Sequence, residues 1–183
     1  MPQAHNVENY TIGKGILYAG EWVGTTPPAA IDTDLGNAPS AEVEPAVERL
    51  PHFSSRSGYR TKDKNPVIET MYTVNFELDE PCAYNMKLFL MGSMSGGNVV
   101  HAMQNVEKEY ALKIVEDNPS GPNKVHEFWR GTISPNGPSQ LIGDEWLTLS
   151  YTFEGLSDVA NHASSPFFDV TYATTTTTTT TTV

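Results

Sequence analysis

The side chains that usually carry chemistry are present in this chain, but their spacing builds none of the common reaction centres. Five histidines, His5, His52, His101, His126 and His162, are scattered along the 183 residues, and none forms the i, i+4 pair around a glutamate that places two zinc ligands on one helix face. Cys82 is the single cysteine, which excludes an internal disulfide or a cysteine metal cage. Its expected role is that of a small buried hydrophobe. No GxSxG elbow occurs. Asp144 beside Glu145, or Glu42 with Glu69, supplies the carboxylate pair a glycosidase needs, yet 22 acidic residues produce such pairs without a common task. Gly13-Lys14-Gly15 has the spacing of neither glycine-rich phosphate loop. Asp32 and Asp34 fall short of the oxygen ligands of a calcium loop and read as loop polarity. The expectation is a protein that is not an enzyme, with no cofactor and no metal.

What the charged residues do show is sorting. The 22 acidic residues outweigh 11 basic ones, for a net charge of -11, which argues against a generic nucleic-acid binder because displacing counterions needs basic surface. Within Ser40–Leu50 the residues Glu42, Glu44 and Glu48 share one parity and Ala41, Val43 and Val47 the other. On a strand that puts the carboxylates on one face, where they repel one another unless the face looks into water. The plain reading is the solvent face of a half-buried sheet. Directly after it, Arg56, Arg60, Lys62 and Lys64 are four of the eleven basic residues within nine positions. A cationic segment in an acidic protein fits contact with acidic surface elsewhere, including a second copy of the chain; contact with nucleic acid ranks behind that.

The elements that would position these groups are mainly strands. From Ile68 to Leu78, the residues Ile68, Thr70, Tyr72, Val74, Phe76 and Leu78 alternate with Glu69, Met71, Thr73, Asn75 and Glu77, a strand with one apolar and one wet face. Asp79, Glu80 and Pro81 then suit a helix start and Gly92 a stop, so a short helix is expected over 81–91. Further strands are expected at 11–22, 40–50, 109–133 as a hairpin, 145–155 and 166–173, with loops at 24–39, 51–65 and 134–144 and a flexible turn after Gly92. Trp22, Trp129 and Trp146 are expected in the core. Residues 1–10 read as an arm without the basic and apolar regions of a secretory signal. Residues 174–182 are nine threonines, a tail with strand propensity but no apolar face. No apolar run approaches the ~20 residues that cross a bilayer, so a soluble single domain over 1–173 is expected.

Taken together, GILYAGEW at 15–22 and DLGNAPSAEVEPAVERLPHFSSRSGYRTKDKNPVIETMYTVNFELDE at 34–80 resemble the major tail tube proteins of long, flexible-tailed bacteriophages. The resemblance covers about the first half of the chain and runs into the helix; HFSSRSGYRTKDK is its most distinctive part, and the threonine tail is foreign to it. It implies a mainly β, sandwich or barrel-like tail tube fold with one flanking short helix. It also implies homo-hexameric rings stacked into a hollow tube in the virion tail, assembled in the host cytoplasm with tape measure, terminator and tail-tip proteins. The genome DNA then passes through without specific binding, and no membrane is involved. On this resemblance Glu42, Glu44, Glu48, Glu69 and Glu77 are expected to line the lumen, and Arg56, Arg60, Lys62 and Lys64, in the loop 51–65, to bridge one ring to the next. The alternatives are a tail terminator or tail-tip ring subunit, and a monomeric β-sandwich that binds carbohydrate or a host protein through a tryptophan platform.

Overall fold

The computed structural model describes residues 11–172 apart from 57, 97 and 120. The expected arm and threonine tail lie outside the described residues. In chain order the elements are β1 (Gly15–Glu21), β2 (Thr33–Asp34), β3 (Ser40–Arg49), β4 (His52–Ser54), β5 (Thr61–Lys64) and β6 (Val67–Leu78). The helix α1 (Ala83–Phe89) follows, then β7 (Ser93–Ser95), β8 (Val99–His101), β9 (Glu109–Glu116), β10 (Lys124–Pro135), β11 (Leu149–Gly155) and β12 (Phe168–Tyr172). The main sheet runs β2-β1-β9-β10-β11-β6-β3, with β12 also on β10, and all its pairs are antiparallel. The fold is mainly β and sandwich-like.

The strand β10 is where the sheet divides. Its first half, Lys124–Phe128, pairs with β9 and β12, and a register shift lies between Phe128 and Gly131. Beyond the shift Gly131–Pro135 takes β11 as its partner instead of β12. A bulge at such a point bends the strand and sharpens the local twist, so β1, β9 and β12 come to face β11 and β6 across a core. Alternate residues of each strand fill that core: Leu17 and Ala19, Tyr72 to Leu78, Tyr110 and Leu112, Phe128 and Ile133, Leu149 to Phe153. Tyr72 is central, with its ring centroid 5.7 Å from Phe128, 5.8 Å from Phe167 and 5.2 Å from Phe168. Gly155 makes room for it, because a Cβ there would run into the Tyr72 ring. Burying each large apolar side chain is worth roughly 1.5–3 kcal/mol.

Helix α1 is shorter than expected and begins differently. Cys82 is its N-cap, exposed and without a side-chain capping bond, so the thiol is not the small core residue its surroundings suggested. Asp79 and Glu80 do not serve the helix start. Glu80 accepts from the Asn37 amide N–H at 3.0 Å and Asp79 from the Asn37 side chain at 2.6 Å, tying the loop before β3 to the end of β6. The helix is held instead by buried Asn85, whose side-chain amide donates to the carbonyls of Leu35 and Glu80 and whose main-chain carbonyl accepts from the Tyr151 hydroxyl. Lys87, also buried, pairs with Glu21 of β1.

Candidate assembly surface: an acidic ribbon and a cationic hairpin

The strands β3 and β6 pair from Ser40↔Glu77 to Arg49↔Val67. Register then decides which side chains share a face. Glu42 lies opposite Asn75, Glu44 opposite Thr73, Glu48 opposite Glu69 and Ser40 opposite Glu77, so the five expected glutamates do stand on one face. The next strand extends it: Thr152 of β11 pairs with Asn75, Ser150 with Glu77 and Glu154 with Thr73. Glu154, which the sequence reading passed over, is therefore a sixth carboxylate of the set. It was detectable only as the even-parity acid of a strand whose neighbour in the sheet was unknown. Between Ser40 and Glu48 of β3, Glu69 and Glu77 of β6, and along β11, this face holds Glu, Ser, Thr, Asn, one Ala and one Met; past the register shift that follows Glu48, exposed Arg49 stands opposite Val67.

These carboxylates point away from the core. Glu42, Glu44, Glu48, Glu69 and Glu154 are exposed and Glu77 is half-buried, accepting from the Ser150 hydroxyl at 3.3 Å; Thr152 donates to the Asn75 side chain at 2.8 Å. Glu48 directly opposite Glu69 is an arrangement that costs stability in an isolated sheet. The fold tolerates it because that part of the ribbon lies in water on both sides.

The second feature is how far the ribbon runs. β11 covers β6 only from Thr73 to Leu78, and beyond Tyr72 the β3–β6 pair continues alone. Val47 and Ile68, whose parity matches the core residues of their strands, are more than half exposed there. The ribbon then passes through Leu50, whose N–H donates to the Pro66 carbonyl at 3.0 Å, into a second ladder of β4 and β5. The segment expected as a loop over 51–65 is thus the tip of one long hairpin from Ser40 to Leu78. The expectation failed because Pro51, Pro66 and the Ser/Gly-rich stretch break the alternation, while three residues of β4 and four of β5 suffice to pair. Arg60 lies over the Phe53 ring at 4.9 Å, and His52 meets Asp63 at 2.5 Å, which holds the Asp63 carboxyl below its ordinary range. Lys62 and Lys64 project from β5, exposed, and Arg56 stands exposed in the turn.

Other chemically capable groups stay apart. His126 meets Glu116 at 2.7 Å beside a cleft of about 320 Å³ between β1 and β3, and Lys124 stands 3.5 Å from the same carboxylate. Gly15 on this rim lies so near the Val115 carbonyl that a Cβ would come within 2.6 Å of it, whereas Gly13 faces open space. His162 meets buried Asp158 at 2.8 Å and stacks on Trp129 at 3.9 Å between ring centroids. Trp22 is buried and donates to the Trp129 carbonyl at 2.9 Å, whereas Trp146 is exposed, a correction to its expected place in the core. The strand expected from Glu145 begins only at Leu149. The turn expected after Gly92 is a short β7–β8 hairpin. Among the described residues no group of three or more His, Cys, Asp or Glu converges as a metal site would require, and no helix is long and apolar enough to cross a membrane.

Residues 10–97, just under half of the chain, match the model of a family described as a protein of unknown function. The matched stretch takes in β1, the whole long hairpin, α1 and β7. No curated protein matches the chain.

Proposed function

We propose that the chain is the repeating subunit of a hollow tube, a major tail tube protein of the long-tailed phage type, whose acidic ribbon face lines a channel that conducts DNA. One observation carries this reading: six carboxylates gather on one face of the sheet made by β3, β6 and β11, with no cation between Ser40 and Glu48 or between Glu69 and Glu77, while on the opposite face, past Tyr72, Val47 and Ile68 lie uncovered among the described residues. A solitary domain gains nothing from leaving Val47 and Ile68 in water. A closed ring of copies buries them and, by pairing strand edges with neighbours, removes the open edge of β3.

The electrostatics follow from that geometry. Duplex DNA carries one negative charge per about 1.7 Å of axis. Repulsion from a carboxylate wall acts over about 8 Å at physiological salt, so only charges on the wall itself are felt. Glu42, Glu44, Glu48, Glu69, Glu77 and Glu154 hold the duplex off the surface and let it slide. The hairpin tip, with Arg56, Arg60, Lys62 and Lys64, reaches beyond the subunit toward the next ring. A second reading, a monomeric carbohydrate-binding sandwich, has Trp146 as its platform.

Sedimentation and negative-stain microscopy of the purified chain separate the two. The expected result is rings and tubes of uniform bore. A chain that remains monomeric at high concentration, or a tube whose bore is cationic, overturns the proposal.

A further inference from the structure

The loop between β10 and β11, residues 136–148, has an exposure that its own subunit does not explain. Trp146 is 96% exposed, Ile142 92% and Leu141 75%, three large apolar side chains on one short segment, with Asp144 and Glu145 between them. Isolated exposed apolar residues are ordinary, but a cluster of this kind marks an interaction surface.

Its place in the fold indicates what covers it. Leu149, just after the loop, pairs with Leu78, the last residue of β6, and the Asn136 N–H donates to the Ser150 carbonyl at 2.8 Å. The loop therefore sits at the C-terminal end of β6. The cationic hairpin sits past the N-terminal end of the same strand, with a 12-residue strand between them, about 36 Å at ~3.3 Å per residue. The two surfaces cannot meet within one copy. Their chemistry is complementary: Arg56, Arg60, Lys62 and Lys64 against the single Asp63 on the hairpin, Asp144 and Glu145 without a cation on the loop. Both also carry exposed apolar side chains, Phe53 and Tyr59 on the hairpin facing the tryptophan and its two aliphatic neighbours on the loop.

We infer that residues 136–148 are the receptor for the β4–β5 hairpin of another copy of this chain, the copy in the adjoining ring. Two complementary patches at opposite ends of one element make a heterologous contact, and such a contact repeats into an open filament where its rotation does not close into a ring. The inference rests on the tube reading and adds the identity of the partner surface. Lys62 and Lys64 pair with Asp144 and Glu145, while Trp146 packs against the aromatic side chains and the arginine stems of the hairpin.

A charge swap tests it. The loop variant D144K/E145K and the hairpin variant K62E/K64E alter only exposed side chains, so circular dichroism is expected to match the parent chain. Each is expected to form rings but to lose tubes at least tenfold in sedimentation and microscopy. The chain that combines both swaps restores complementarity and is expected to regain tubes, and Trp146→Ala loses them without any change of charge. Carbodiimide treatment of parent tubes is expected to join Lys62 or Lys64 to Asp144 or Glu145 between copies. A loop variant that polymerises like the parent chain, or a combined variant that does not recover, overturns the receptor assignment while leaving the tube reading in place. A parent chain that forms no ring overturns both.

Discussion

Val67–Met71 and Tyr72–Leu78 are two halves of one strand with the same alternation, yet they live in different environments. In the second half Tyr72, Val74, Phe76 and Leu78 are buried under β11 and the opposing layer. In the first half Ile68 and Thr70, on the same face, are exposed, because β3 is the only neighbouring strand there among the described residues. The difference teaches that the first half is not shaped by the stability of the subunit. An exposed apolar face backed by Glu48 and Glu69 is a surface for a partner, and in the proposed tube a surrounding ring of identical copies would cover it.

The sharpest way to break that comparison is to remove one large side chain from each half. Phe76→Ala, which also removes the stacking of Phe76 on Tyr151 at 4.8 Å, is expected to destabilise the monomer by about 3–5 kcal/mol in urea unfolding. Ile68→Ser is expected to change monomer stability by no more than about 0.5 kcal/mol while abolishing ring formation. Equal stability losses at the two positions would mean that the ribbon is covered within its own subunit.

A smaller effect distinguishes the compact region by its pH dependence. Burial pushes the Glu21 carboxyl up, but the hydrogen bond and charge of Lys87, with a further contribution from Lys108, more than offset it and leave it below its ordinary value of 4.5. A depressed carboxyl stabilises the fold fully above its unfolded value and loses that contribution as pH falls through the folded one. Lys87→Met is expected to lower stability at pH 7 by about 1–3 kcal/mol. It is also expected to flatten the acid-side decline of Tm below about pH 4.5, which a pH series of thermal melts would read.

The smallest effect has opposite signs in the two contexts. Glu69→Lys replaces a like-charge pair with Glu48 by an attractive one and is expected to stabilise the monomer by about 0.2–1 kcal/mol. In the proposed tube the same substitution would add one cation per copy to the channel wall, and it is expected there to slow DNA passage or retain DNA. A monomer stabilised together with unaltered passage would separate the acidic face from the channel.

Much of this was legible locally. The alternation from Ile68 to Leu78, the parity of Glu42, Glu44 and Glu48, and the start of β9 at Glu109 are properties of residues two apart, and the pleat turns them directly into faces. The 51–65 segment was misjudged because proline and glycine hide short ladders that form only when both strands are already aligned by a longer one. Cys82 and Asp79–Glu80 were misjudged because helix signals are shared with turns, and a distant residue, Asn37, claimed the carboxylates. Trp146 was expected inside a strand over 145–155, but β11 begins only at Leu149, which leaves the tryptophan on the loop before it, where its neighbours in sequence do not say what covers it.

By itself, the amino-acid order determined which side chains lie together on a strand face and what charge that face bears, because a period of two residues is a local property. Only the tertiary structure decided how far each face is covered. That depends on where β11 stops along β6 and where β10 changes partners, choices made by contacts between residues about 75 positions apart, such as Phe76 and Tyr151.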